Sequence, residues 1–387
     1  MSGSAGRLLE LIRTGAATTR RELLEHTGLS RSTVAARVDQ LIAAGFVREA
    51  VTETGARGRP TAVLAFDQRH GVVLAADLGA RHARATVCDL AGTHLAETTR
   101  TLRIADGPDA CLGWLQKAWQ QLLEQAGPDL PPVVGAGVGV PGPVDVGSGR
   151  PVRPPIMPGW HDHPIKERLQ DAFGVPALVD NDANLMALGE HLAGPPSCTS
   201  LLFVKVATGI GAGVIVNRQL VRGLHGGSGD IGHVRITSDG DGPFCACGAR
   251  GCLAASASGG AIARILAEQG APVTSSREAV DLAHTGDPRA VALLRRSALQ
   301  IGDVLATAVS LLNPELLVVG GDVIRAKEHF MPALQERLYQ RTQPLATQDL
   351  QVTTSALGDR AGTSGAVAMV VDSVYSPAAV DRALAAS

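Results

Sequence analysis

The chain has 387 residues, 45% of them hydrophobic, and a net charge of −2, enough apolar material for two or three cores of ordinary size. No run reaches the roughly 18 apolar residues that a membrane span requires, and Met1-Ser2-Gly3-Ser4-Ala5-Gly6-Arg7 lacks an apolar signal region. The expectation is a cytoplasmic protein with no membrane partner. Cys88, Cys111 and Cys198 sit among apolar neighbours, which suits reduced core thiols better than a disulfide framework. Only four of the 35 basic residues are lysine, namely Lys117, Lys166, Lys205 and Lys327, a bias that fits a GC-rich genome.

The small net charge hides an asymmetry. Residues 1–66 carry nine arginines against six acids, a net of +3, which leaves −5 for the remainder. A basic head on an acidic body points to a polyanion as the head's partner. Leu8, Leu9 and Ile12 form the stripe of a first helix, and Thr19-Arg20-Arg21-Glu22 is a capping box that opens a second, which ends at Thr27-Gly28. Ser30 caps a third helix in which Val34, Val38, Leu41 and Ile42 recur at helical spacing, with Arg31, Ser32, Thr33 and Arg37 on its outer face. Two helices joined by a tight glycine turn predict a helix-turn-helix. Phe46 to Thr52 and Thr61 to Phe66 read as two strands of a wing around Gly55-Ala56-Arg57-Gly58-Arg59-Pro60. In such a domain Arg31, Ser32, Thr33 and Arg37 face the major groove of double-stranded operator DNA, while Arg57 and Arg59 enter the minor groove.

From Gly71 the body continues with three strand-like segments, Val72 to Asp77, Ala83 to Cys88 and Thr93 to Thr101. A helix around Trp114 to Leu123 follows, then a buried strand Val133 to Val140 that ends in Pro141-Gly142-Pro143-Val144-Asp145. Next come a helix near Ile165 to Phe173 and the strand Val175 to Asp180, leading into Asn181-Asp182-Ala183-Asn184. A Gly-rich turn, Thr208 to Gly213, and a strand Leu316 to Gly321 complete the pattern. This alternation predicts an α/β body of two lobes across a cleft. The division is 1–66 for the head, 67–180 for the first lobe and 181–387 for the second, with the C-terminal helix free to return to the first.

His233 precedes Cys245-Ala246-Cys247-Gly248-Ala249-Arg250-Gly251-Cys252, and three thiolates with one imidazole make a complete tetrahedral shell for Zn2+. Glycines inside the run let the backbone fold back so that the sulfurs converge. A Cys3His shell leaves no open position for a catalytic water, so the site is expected to be structural.

The order Asp77-x-Gly79, Val140-Pro141-Gly142-Pro143-Val144-Asp145, Asn181-Asp182-Ala183-Asn184, Thr208-Gly209-Ile210-Gly211, Gly232-His233, Cys245-x-Cys247-x4-Cys252 and Asn313-Pro314-Glu315 resembles the ROK family over about residues 70 to 375. That family groups bacterial sugar kinases with sugar-responsive repressors on an actin-like, ribonuclease-H-type fold. A winged helix on the front is what marks its regulators. The resemblance makes Asp182 the counterpart of the kinases' catalytic base. It also places Asn181, Asp182, Asp230, His233 and Ala254 where relatives hold sugar hydroxyls. Asp230 is one methylene shorter than the glutamate of relatives, and Ala254 cannot accept a hydrogen bond. At the first phosphate loop, where kinases carry Asp-x-Gly-Gly-Thr, this chain continues as Ala80-Arg81.

Phosphoryl transfer needs a base, a cradle for phosphates and magnesium. The altered loop therefore predicts loss of sugar kinase activity, leaves Asp182 a vestigial base, and favours a DNA-binding repressor controlled by a sugar or sugar phosphate. Two alternatives stand beside it: a bifunctional kinase with a DNA-binding head, and a ligand-independent regulator with a vestigial cleft. A homodimer or higher homo-oligomer is expected from palindromic operators.

Overall fold

Three helices, Ala5–Arg13, Arg20–Thr27 and Arg31–Ala43, open the chain in the computed structural model, which describes residues 3–51, 62–237 and 240–386. Each starts on a hydroxyl cap that accepts a backbone N–H from its first turn: Ser4, Thr19 with the reciprocal Glu22 of a capping box, and Ser30. Gly28 stops the second helix at φ +67, a left-handed conformation that costs glycine nothing. Strands β1 (Val47–Val51) and β2 (Ala62–Phe66) then pair antiparallel, and the Leu64 amide donates to Thr18 O at 2.7 Å, which ties the hairpin back to the helices.

Two five-stranded sheets follow. The first contains β3 (Val72–Leu78), β4 (Ala83–Asp89), β5 (His94–Arg100), β6 (Val133–Val140) and β7 (Ala177–Asn181) in the order β5-β4-β3-β6-β7. The second contains β8 (Leu201–Val206), β9 (Ile210–Val216), β10 (Gln219–Leu220), β11 (Leu316–Gly320) and β12 (Gln351–Thr354) in the order β10-β9-β8-β11-β12. In each, three strands run as an antiparallel meander, a fourth pairs in parallel with the first of them, and a fifth pairs in parallel with the fourth. The same plan is thus built twice, once per lobe, as an actin-like body requires.

The helix expected around Trp114 to Leu123 spans Pro108–Ala126, because Gly107 and a proline in the first turn set its start well before its most apolar stretch. Its buried Leu112, Leu115 and Trp119 share a core with Trp160, whose indole N–H donates to Ile104 O at 2.9 Å. The Gly-rich turn expected over Thr208 to Gly213 is shorter than that: β9 begins at Ile210. Gly213 belongs to the strand, where a Cβ would meet Ala183 O at 2.5 Å.

Helices Asp182–Ala193 and Ala361–Val374 lie against each other and against both sheets' inner strands. Their backbones touch at two glycines, since a Cβ on Gly365 would meet Leu185 O at 1.8 Å and one on Gly189 would meet Ala361 O at 2.4 Å. The helix Ala361–Val374 also packs on β3 and β6 of the first sheet. Beyond it, helix Pro377–Ala386 lies on Ala5–Arg13. One continuous core therefore joins the head (Leu8, Leu23, Val38, Leu64) to Tyr375 and Val380 and on to Val73 and Val370 of the body. Among the described residues, no helix is long and apolar enough to cross a membrane.

Candidate ligand cleft, cysteine cluster and nucleic-acid face

On the third helix of the head, Arg31 and Ser32 are exposed and Thr33 half-buried, with Thr33 N donating to Ser30 Oγ at 3.2 Å. Arg37 departs from the outer face expected for it. It is half-buried and its Nη1 is covered with no hydrogen-bond partner among the described residues, because the segment at Gly3 passes over it: a Cβ on Gly3 would lie 3.4 Å from that nitrogen. Arg57 and Arg59 lie outside the described residues.

A cleft of about 680 Å³ separates the two sheets, and Arg81, Asn181, Asp182, Asp230, His233 and Ala254 all line it. Asn181 ends β7 and caps the helix Asp182–Ala193: its Oδ1 accepts from Ala183 N at 2.9 Å and Asn184 N at 3.4 Å, and its Nδ2 donates to Gly142 O at 3.1 Å. The cap fixes Asp182 in the first turn, buried, with its carboxylate on the ammonium of Lys205 from β8. Burial pushes the Asp182 carboxyl above its ordinary value and Lys205 opposes that push. Asp180 is buried beneath, bonded by Arg222 Nε at 2.6 Å and Asn184 Nδ2 at 2.9 Å. Asp77, at the end of β3, is buried with His82 Nε2 at 3.2 Å from its Oδ2. The turn Ala80-Arg81 leaves the Arg81 side chain exposed at the cleft mouth.

Asp230 and His233 reach the cleft on a loop that presses its backbone against β9. Gly229 sits at φ +88 and a Cβ there would meet Ala212 O at 2.0 Å, so only glycine fits. The loop continues into a single turn, Ile231–His233. His233 has Nδ1 3.5 Å from Cys245 Sγ, while Nε2 stands 3.9 Å from Asp230 Oδ1 on the cleft side.

The cysteines converge through a tight turn. Cys245 N donates to Ala249 O at 2.8 Å and Gly248 N to Cys245 O at 3.0 Å, which puts Cys245 and Cys247 on one side. Cys252 is brought back by its bridge to Arg235. One ligand atom from each of His233, Cys245, Cys247 and Cys252 lies within 4.8 Å of every other, and Cys247 Sγ is 3.8 Å from Cys252 Sγ. Sulfurs bound at about 2.3 Å to a tetrahedral ion stand about 3.8 Å apart, so the spacing fits such an ion. Arg250 stacks over the Phe244 ring at 3.4 Å and closes the loop.

Four side chains that contribute to this region carry no motif in the sequence. They are Lys205, His82, Arg222 and Glu190. Glu190, buried on the helix Asp182–Ala193, accepts from Ser355 Oγ and from the amides of Ala356 (3.0 Å) and Leu357 (2.9 Å), and so pins the segment that leads from β12 to the returning helix. Only the scarcity of lysine sets Lys205 apart in the sequence.

The family model for the ROK family matches residues 73–373, and one for winged helix-turn-helix DNA-binding matches residues 2–48. The chain is 28% identical to the xylose repressor of Bacillus spizizenii, with 94% of each chain covered. It is 30% identical to the glucokinase of Halalkalibacterium halodurans over 68% of this chain and 81% of that one. A solved ROK family transcriptional regulator, a homologue of the Escherichia coli MLC protein, superposes with a TM-score of 0.82 at 25% identity over 98% of both chains. The repressor and the regulator match nearly the whole chain, the kinase about two thirds of it, and by its family match over more than half its length this chain belongs to the ROK family.

Proposed function

We propose that the protein is a sugar-responsive DNA-binding repressor, organised as a winged head (1–66), a first lobe (67–180) and a second lobe (181–387) that sends its last helices back to the first. The observation that carries this is one continuous core: the head that presents Arg31 and Ser32 is packed on the body whose cleft gathers Asn181, Asp182, Asp230 and His233. A ligand that binds the two arrangements of the lobes differently shifts DNA affinity by that difference, commonly about 1 to 3 kcal/mol. The helix Ala361–Val374 is the connecting part. Its first turn covers Asp77, where a Cβ on Gly362 would lie 3.0 Å from the carboxyl carbon, and it leads into Tyr375 against Phe66 at 5.0 Å in the head.

Zinc is the ion that the Cys3His set fits, held by His233 through Nδ1 and by Cys245, Cys247 and Cys252. So held, His233 keeps Nε2–H directed at the cleft, where it donates to a ligand hydroxyl. Asp182 and Asp230 accept from neighbouring hydroxyls, and Asn181 sets their frame. Ala254 in place of a carboxylate removes one acceptor, a loss of about 1.5 to 3 kcal/mol against a ligand that needs it. The protein is not expected to transfer phosphate, because Ala80-Arg81 replaces the small and hydroxyl residues of a phosphate loop. On DNA, Arg31, Ser32 and Thr33 read the major groove with Arg37 behind them, Arg57 and Arg59 serve the wing, and a two-fold dimer meets a palindromic site.

The test is fluorescence anisotropy with an operator selected from random duplexes, repeated across a panel of neutral sugars and sugar phosphates. One carbohydrate should change operator affinity about 5- to 150-fold. A panel without effect on a protein that binds its operator would leave the ligand-independent reading instead.

A further inference from the structure

Lys205 is the one charged residue of β8, a strand otherwise made of leucine, phenylalanine and valine. It is buried and its ammonium meets the buried Asp182. Asp77 stands next to this pair. Gly139 lies between the two acids, and a Cβ on it would be 3.7 Å from Asp77 Oδ1 and 3.6 Å from Asp182 Cα. Asp77 is 1% exposed, and although Oδ2 has His82, its Oδ1 is buried with no hydrogen-bond partner among the described residues. Asp322, just past β11, opens on the same cleft. Burial alone would push the Lys205 ammonium down, but Asp182, Asp77 and Asp322 outweigh it and hold its pKa above the ordinary lysine value.

Carboxylates gathered at one cleft with an unused buried oxygen are what a hard divalent ion takes, and a metal–phosphate complex needs such an ion. Here one of those carboxylates, Asp182, already has a positive charge beside it, one fixed to the sheet by four methylenes. It has three N–H donors, of which Asp182 uses one.

We infer that Lys205 is a built-in cation standing where a divalent ion would otherwise bind between Asp77 and Asp182, so that the cleft accepts a neutral polyhydroxy ligand and rejects a metal–phosphate complex. The ammonium neutralises Asp182 without bringing phosphates with it, and it repels a second cation. Its remaining donors serve a ligand hydroxyl. The inference rests on the cleft being the effector site, but its test does not.

That test is Mn2+ titration of the full-length, zinc-loaded protein, with free Mn2+ read by electron paramagnetic resonance. Wild type should show no Mn2+ site that Asp77→Asn abolishes. Lys205→Met should gain one such site per chain, about tenfold or more tighter than wild type, since a like charge beside the ion has gone. Adding Asp77→Asn should remove it, and Lys205→Arg, which keeps the charge, should not create it. A wild-type site lost in Asp77→Asn, or a folded Lys205→Met with wild-type Mn2+ affinity, would overturn the inference. If Lys205→Met does not fold, wild type against Asp77→Asn still decides. Neither arm contains sugar or DNA, so a protein that ignored every sugar would give the same Mn2+ result and the two failures remain distinct.

Discussion

The backbone amide of Gly6 donates to the carboxylate of Asp381 at 2.8 Å, across 375 positions of sequence. Arg13 adds an ion pair with Asp372 at 2.8 Å, and Tyr375 meets Phe46 and Phe66 edge to face at 5.8 and 5.0 Å. The DNA-binding head is thus clamped by the helices Ala361–Val374 and Pro377–Ala386 and the Tyr375 between them. Gly6 is the tightest point, because a Cβ there would meet Pro377 O at 2.1 Å. Gly6→Ala should therefore lower stability by about 1 to 3 kcal/mol, as overpacking does. Hydrogen exchange should show the loss concentrated in Pro377–Ala386 and Ala5–Arg13; a uniform change across the body would count against the clamp.

Metal content is the most direct check on the cysteine cluster. Protein purified under reducing, chelator-free conditions should carry one zinc per chain, and Cys247→Ser should lose it together with a drop in melting temperature, since metal affinity for the native state adds to folding. Elemental analysis near zero for wild type would exclude the assignment.

Asp182→Asn separates ligand sensing from DNA binding. It leaves Lys205 buried opposite a neutral amide, and breaking a buried pair from one side costs about 3 to 5 kcal/mol at most. Operator affinity without ligand should stay within a few fold, while the carbohydrate's effect on it disappears. A variant that responds like wild type would remove Asp182 from the site.

In the head, Arg31→Ala should cost about 1 to 3 kcal/mol of discrimination within the half-site if a bidentate base contact is lost. Arg37→Ala should act differently, because that side chain is half-buried beneath Gly3. Its effect should be seen in thermal melts as well as in binding curves. Identical binding and melting profiles for the two variants would contradict this.

Glu97 supplies the pH test. Arg360 at 2.8 Å, His94 at 3.0 Å and Arg84 at 3.1 Å surround it, and the Arg360 hydrogen bond, with the other cations, outweighs burial and lowers its pKa from 4.5 to about 2. A depressed carboxylate contributes stability that is full above the unfolded value of 4.5 and lost as pH falls through about 2. Glu97→Gln should flatten the melting temperature across that window and leave its slope at neutral pH alone. Calorimetry from about pH 5 down to about pH 2 reads the difference, and a variant whose melting temperature falls as steeply as that of wild type would take Glu97 out of the acid transition.

Much of the fold could be read from the chain because local signals agreed with one another. Thr19 with Glu22, Ser30 and Gly28 fixed the ends of the head's helices, and the run Val133 to Val140 can only be a buried strand. The cysteine cluster was legible because its ligands lie close in sequence. What escaped were contacts between distant segments. Lys205 is a stray charge in a strand until Asp182 is seen facing it. Arg37 reads as exposed until the segment at Gly3 is seen over it, and nothing in Pro377–Ala386 announces that it lies on Ala5–Arg13. Such pairings depend on how sheets and helices stack, which no window of sequence contains.

The head's dependence on Tyr375 and Val380 sets an order on biosynthesis. Its own residues leave the ribosome well before Tyr375 and Val380, which complete the surface on which they rest. Domains ordinarily fold as they emerge, but here a chain stopped after Val374 would carry all three helices of the head and still lack the wall that holds them. A nonsense codon there should silence regulation without touching the helix Arg31–Ala43.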